Sequence, residues 1–342
     1  MNNDTTTPTT TININAFSTL YEEAKDFYIV ENIERITKPT AIEFYREYVA
    51  QNRPVIITGV LDDIDAFKKW STEYLRETLK DVEVTVAFTP DGFADAVKPI
   101  DPTDPSSQLV FVKPLEKKMK FQDYIALLEN KDNKQQQDRI GYIQYQNDSF
   151  QIEYSPLWKD VNHNKIVDFA VEALGIDVDA INFWMGEDRS VSSLHKDSYE
   201  NLYAVIRGTK TFHLLPPIDY PCLYEQEFDC ATYVEQEDGT MKIEIDEPRC
   251  RVPWIPVDPT KPIHENIQLY PNIANAHVLE VKVEAGEILY LPSLYYHRVS
   301  QESNKTSDCI GTVAINYWFD MKYGLNYIYF EFLKQLTKDL NK

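Results

Sequence analysis

Residues 192–217 read SSLHKDSYENLYAVIRGTKTFHLLPP, and their pattern decides the fold class. A short, mostly apolar run at 201–206 ends at Gly208, and a second, alternating run at 211–215 is stopped by two prolines. Short strands punctuated in this way mark an all-β sandwich or barrel. Similar runs recur at 181–184, 241–245, 278–283, 288–291, 296–299 and 310–318, so the segment 181–320 is expected to form an antiparallel barrel or sandwich.

Upstream, residues 16–180 read as mixed α and β. Apolar positions Phe17, Leu20, Ala24 and Phe27 recur at helical spacing, suggesting a helix from 17 to about 36. Thr40 and Glu43 make a capping-box pattern before a second helix that should stop ahead of Arg53-Pro54. A β-branched run at 55–57, a helix around 70–79, strands near 82–88 and 108–112, a turn at Asp91-Gly92, a helix at 121–128 and a polar loop at 131–138 complete this half. Residues 1–15, rich in Thr and Asn, read as a disordered tail without the basic and apolar regions of a signal peptide. At the other end, 321–342 reads as an amphipathic helix. Leu325, Ile328, Tyr329, Phe332, Leu333, Leu336 and Leu340 form one stripe, which packs either on the chain's own core, the first reading, or on a second copy as a homodimer.

Composition narrows the functional class. The chain has 342 residues, 43% of them hydrophobic and 13% aromatic, as expected of a chain that buries a sizeable core. No run approaches the roughly 18 consecutive apolar residues that a membrane span requires. A net charge of −21 argues against nucleic acid as partner, since such binding rests on Lys and Arg neutralising phosphates. The acidity either recruits a basic protein segment or serves solubility. Four cysteines without C-x-x-C spacing suggest free thiols in a reducing compartment, cytoplasm or nucleus.

Chemistry concentrates in two places. In His195-Lys196-Asp197 the period of two sends an imidazole and a carboxylate to one face. About a hundred residues later, GEILYLP (286–292) feeds Tyr295-Tyr296-His297-Arg298-Val299, where a third donor, His297, sits between aromatic and apolar residues. Two His and one carboxylate on one face of an octahedron leave three positions open, the arrangement of non-haem Fe(II) oxygenases. A chelating 2-oxoacid would take two of these and O2 the third. The far carboxylate of such a cosubstrate needs a cation inside an apolar barrel, and Lys210 is the candidate. Ser192, Asn201 and Tyr142 offer uncharged hydrogen-bonding partners. His163, His213, His264 and His277 read as surface or satisfied core histidines.

These motifs resemble the jumonji-C hydroxylases, most clearly in 192–217 and in AGEILYLPSLYYHRV (285–299). VPWIPVDP (252–259), Tyr270-Pro271 and AINYWFDMKY (314–323) are similar to the lysyl-hydroxylating branch of that family. The resemblance implies a double-stranded β-helix core, a cupin-like jelly roll, with flanking helices. It implies His195, Asp197 and His297 as ligands of Fe(II), Lys210 as the salt-bridge partner of 2-oxoglutarate, and Ser192, Asn201 and Asn316 as pocket residues. Tyr142 matches the cosubstrate-contacting tyrosine, with Tyr145 as a rival. Tyr295 and Tyr296 replace commoner tryptophans, and a longer insert at 300–308 separates His297 from the last strand. The implied activity is oxidative decarboxylation of 2-oxoglutarate coupled to (3S)-lysyl hydroxylation of a developmentally regulated GTP-binding protein. Trp184 and Trp318 serve as walls of the substrate mouth or as core. Rival readings are a metallopeptidase acting on methylated histone tails, a non-catalytic jumonji-C binding module, and a dioxygenase that works without 2-oxoglutarate.

Overall fold

The computed structural model describes residues 9–104, 106–130, 139–303 and 308–340, with side chains from Phe17 onward. Before residue 180 the strands are β1 (Arg35–Thr37), β2 (Val55–Thr58), β3 (Glu83–Thr89), β4 (Phe93–Ala94), β5 (Ala96–Pro99), β6 (Leu109–Lys113), β7 (Leu115–Lys120) and β8 (Ile140–Ile143). From there on they are β9 (Ala180–Gly186), β10 (Val191–Lys196), β11 (Tyr199–Arg207), β12 (Thr209–Leu215), β13 (Gln226–Glu235), β14 (Met241–Ile245), β15 (Arg251–Trp254), β16 (Leu279–Glu284), β17 (Ile288–Leu291), β18 (Tyr296–Glu302) and β19 (Thr312–Asp320). They form a nine-stranded sheet, β1-β2-β17-β11-β19-β9-β8-β3-β7, facing a five-stranded sheet, β16-β12-β18-β10-β4. A third sheet, β14-β13-β6-β5, carries β15 paired to β13. This is the cupin-like sandwich with flanking helices.

Alternation explains why the large sheet reads as nearly continuous apolar sequence. On β11, Leu202, Ala204 and Ile206 join an outer core with Phe44, Phe183 and Tyr290. Tyr203 and Val205 point the other way, into the sandwich, where they meet Phe212 and Leu214 of β12 and Val299 of β18. Both faces are buried, so neither is polar. Phe183, stacked on Tyr154 with ring centroids 4.3 Å apart, is one of the largest fully buried side chains of the outer core. Its truncation to alanine would cost about 3–5 kcal/mol.

The N-terminal half differs from its sequence reading in several places. The first helix, Thr9–Phe27, already covers part of the stretch read as a tail, while residues 1–8 lie outside the described residues. That helix also stops at Phe27 instead of continuing to 36, because Ile36 and Thr37 pair in parallel with Ile57 and Thr58. Thr40 caps its helix as a complete capping box with Glu43. The polar loop expected at 131–138 lies outside the described residues, as do residues 304–307 of the insert. Five strands of the nine-stranded sheet precede residue 180, so the upstream half extends the sheet itself.

The C-terminal helix, Leu325–Leu340, occurs where expected but buries a different face. Phe330 and Thr337 are turned inward, whereas Leu325, Ile328, Tyr329 and Phe332 are 59–64% exposed. The stripe divides: Leu333 packs against the chain's own core and Leu336 and Leu340 are half-buried, while its first four members face outward. Phe330, outside the stripe, packs inward against Tyr220 and Tyr296.

Candidate active site

Two adjacent strands of the small sheet, β10 and β18, position the predicted donors. His195 on β10 stands directly opposite His297 on β18, with ring centroids 4.2 Å apart. A register shift between Ser192 and His195 re-aims the end of β10, and Asp197 follows just beyond the strand. A backbone bond from Leu294 N–H to the Asp197 carbonyl, 3.0 Å, ties down that end. Asp197 Oδ2 lies 3.9 Å from His195 Nε2 and 3.7 Å from His297 Nε2. Each imidazole donates from Nδ1 to a carbonyl, His195 to Ser193 at 2.7 Å and His297 to Tyr295 at 3.1 Å. Both rings therefore turn Nε2 to the centre, as outer-shell partners of metal-binding histidines do. Burial, helped by the neighbouring His195, pushes His297 down to about 4. A neutral imidazole is a ligand and not an ion-pair partner, so the spacing to Asp197 is that of donors around a common centre. Divalent metals sit about 2.0–2.2 Å from such donors, and a small inward shift of each group would meet that distance.

The donors open into a cavity of about 690 Å³, whose walls include Ser192, Asn201, Asn316, Tyr142 and Tyr145. Asn316 accepts from Trp184 Nε1 at 2.9 Å and donates to Asn201 Oδ1 at 3.3 Å, so one amide pair fixes the other. Trp184 thus serves both as wall and as part of the sandwich interior. Trp318 also lines the cavity, stacked on Tyr199 with ring centroids 4.6 Å apart.

Lys210 is 1% exposed and stands opposite Gln301 on β18. Its Nζ donates to Tyr142 Oη at 3.0 Å and to Gln301 Oε1, and it has no acidic partner among the described residues. Burial pushes this ammonium down to about 7. The lysine does not itself wall the cavity; its partner Tyr142 does, as does Tyr145. β11 lies between His195 and Lys210 in sequence but belongs to the other sheet, so the lysine is two strands on along the chain. Gly208, at φ +73°, makes the turn into β12, and an added Cβ would meet Thr312 Oγ1 at 2.4 Å. Gly186 is bare for a related reason, because a Cβ there would meet Gln301 Nε2 at 2.4 Å.

Several pocket residues escaped the sequence reading. Asp95, between the very short β4 and β5, has φ 51° and accepts from Gln144 Nε2 at 3.2 Å. Its carbonyl accepts from the Ser193 hydroxyl, beside His195. Burial pushes its carboxyl up to about 6 against the opposing pull of His195. The Asp91-Gly92 turn was the only signal nearby. Trp254, noted only as part of a motif, lies parallel to the His195 ring with centroids 6.3 Å apart. Its buried Nε1 and that of Trp318 have no partner. The remaining histidines stand elsewhere: His163 against Tyr317, His213 beside Glu280, His277 on Asp219, and His264 exposed.

This sandwich with a His-Asp-His donor set at one end is the architecture of the cupin-like oxygenases, and residues 41–325 match the family model for the cupin-like domain. The chain belongs to this family, within its JmjC group, as a hydroxylase- or demethylase-type oxygenase. It is 58% identical to JmjC domain-containing protein E of Dictyostelium discoideum, covering 94% of this chain and 93% of the relative. It is 41% identical to the human bifunctional peptidase and (3S)-lysyl hydroxylase JMJD7, covering 88% and 87% respectively. Similarity to the lysine-specific demethylase JMJ32 of Arabidopsis thaliana is 36%, covering 93% and 90%. Among the described residues, no helix is long and apolar enough to cross a membrane.

Proposed function

We propose that this chain is an Fe(II)- and 2-oxoglutarate-dependent protein hydroxylase acting on lysine, with (3S)-lysyl hydroxylation of a developmentally regulated GTP-binding protein as its reaction. The observation that carries the reading is the pairing of a buried, unpaired cation with a converging donor set. Lys210 is held by neutral partners alone, an arrangement costly to maintain unless an anion joins it. His297 and Gln301, the neighbour of Lys210, are four residues apart on β18, or about 13 Å along a strand. A small diacid fits between them.

His195, Asp197 and His297 would hold the iron, which when bound supplies the oxidising chemistry with 2-oxoglutarate and O2. The chain's own residues do the rest. Lys210, relayed by Tyr142, anchors the far carboxylate, while Ser192, Asn201 and Asn316 offer hydrogen bonds along the wall. Asp95 would receive a cationic target side chain, because its half-buried carboxyl lines the cavity and its side-chain partner among the described residues is a glutamine. Trp254 and Trp318 line the cavity and offer aromatic wall to the substrate. The acidic chain favours a basic substrate segment through long-range attraction. The same reading places the protein in the cytoplasm or nucleus, and assigns the exposed stripe of the C-terminal helix to a homodimer.

The test is succinate release by purified protein with Fe(II), ascorbate and 2-oxoglutarate, with and without a lysine-containing peptide from a developmentally regulated GTP-binding protein. Peptide-stimulated turnover that adds one oxygen to the lysine, and is lost in His195→Ala, supports the proposal. Demethylation of an N-methyl-lysine peptide instead would favour the activity named for the Arabidopsis relative. Backbone cleavage without 2-oxoglutarate consumption would favour a peptidase, and no turnover with an iron-loaded sample would favour a binding module.

A further inference from the structure

We propose that Cys230 and Cys250 form a redox-responsive dithiol that closes to a disulfide and fastens the strand carrying Trp254. The two cysteines are twenty residues apart in sequence, but β13 and β15 bring them together. Register pairs Asp229 with Arg251, and the Cys230 N–H donates to the Cys250 carbonyl at 2.9 Å. The Cys230 carbonyl in turn accepts from Asp246 N–H at 2.9 Å, so both backbone groups of Cys230 grip the ends of the 246–250 loop. The two Sγ atoms lie within 4.8 Å of each other. Cross-strand neighbours have the Cα separation that a disulfide needs.

The pair is asymmetric in a useful way. Cys250 is exposed, whereas Cys230 is buried against Phe111 and Phe228. Solvent reaches one thiol and the other waits behind it. Asp246 lies within the same cluster, which raises the alternative of a metal site. Its carboxylate is already engaged, however, by Lys113 Nζ at 2.7 Å and by the Thr232 hydroxyl at 2.7 Å. Neutralised in this way it is a poor third ligand, and the thiols are left to react with each other.

The oxidant is a low-molecular-weight disulfide such as oxidised glutathione. The Cys250 thiolate attacks one of its sulfurs, the reagent's S–S bond breaks, and one small thiolate leaves and takes up a proton. Cys230 then loses its proton to solvent, its sulfur attacks Cys250 Sγ, and the second small thiol is expelled. Two protein thiols give up two electrons and two protons, and the reagent's disulfide becomes two thiols. The new bond sits one residue before β15, which ends at Trp254. Trp254 packs on Phe111 with ring centroids 4.4 Å apart and lies parallel to His195. Closing the bond therefore restrains one wall of the candidate active site.

The experiment equilibrates native full-length protein with oxidised glutathione and maps its thiols by peptide mass. Four cysteines are present, and the expected result is that Cys222 and Cys309 stay reduced, with the other two joined at a mass loss of two hydrogens and released by dithiothreitol. Cys250→Ser forms no cross-link, and Cys230→Ala leaves Cys250 carrying glutathione. Hydrogen exchange at residues 251–254 slows on oxidation in the native protein alone. Native protein that stops at a glutathione adduct on Cys250, or that binds added zinc stoichiometrically at this pair, overturns the dithiol. Unchanged exchange at 251–254 overturns its link to Trp254. None of these readouts depends on oxygenase activity.

Discussion

The two ends of the cavity contrast. At the inner end a buried ammonium, Lys210, is held by a phenol and an amide and has no anion. Near His195 a half-buried carboxylate, Asp95, faces the cavity, accepts from an amide and has no salt-bridge partner among the described residues. The buried, unpaired ammonium is an expensive feature of a folded chain. Under the proposed function the two charges would meet ligands, an acid at the Lys210 end and a base at the Asp95 end. Stability does not explain Lys210, since burying an unpaired charge weakens a fold.

That contrast can be broken by substitution. Lys210→Met should weaken 2-oxoglutarate binding about 100-fold, the scale of a lost charge-assisted bond. It should leave the melting temperature of the unliganded protein unchanged or higher; calorimetric titration and thermal unfolding check the two halves. Asp95→Asn should raise KM for a lysine peptide by about 30-fold while altering kcat little, and should leave 2-oxoglutarate affinity intact. An equal fall in kcat and kcat/KM would show that Asp95 does more than receive a cation.

Proton linkage sharpens the comparison. Burial holds Lys210 near 7 in the fold, well below its ordinary value, and on the proposed reading a bound dicarboxylate would restore its charge. Below pH 7 the ammonium is already protonated and binding takes up no proton there. Above pH 7 binding must recruit one, so 2-oxoglutarate affinity should fall about tenfold per pH unit. Titrations at pH 8 in buffers of different ionisation enthalpy would measure the uptake. The smallest effect is expected at the relay. Tyr142→Phe should weaken cosubstrate binding about fivefold, and Tyr145→Phe should not.

How much of this was legible depended on period and spacing. His195, Asp197 and His297 stood out because histidines are scarce in this chain and both motifs adjoin strands. Lys210 was legible from its turn, since Gly208 needs a left-handed backbone that few residues adopt. Asp95 was not, because β4 and β5 are too short to leave a period and a lone aspartate after a turn looks like surface. The Cys230–Cys250 pair was hidden for another reason: it is made by strand register, which no local spacing encodes. The C-terminal stripe taught the converse. Its amphipathicity was real, but which face turns inward was decided by Phe330 meeting Tyr220 and Tyr296.

The order of strands also has a consequence for biosynthesis. β19, the last strand in sequence, lies between β11 and β9 in the middle of the large sheet, and β17 lies between β2 and β11. A nascent chain that has emerged only as far as β16 holds β2, β9 and β11 with open, apolar edges. Such edges invite pairing with other chains, and distant pairings form slowly. The sandwich is therefore completed at its centre only after translation has nearly finished, and until then those edges stay open.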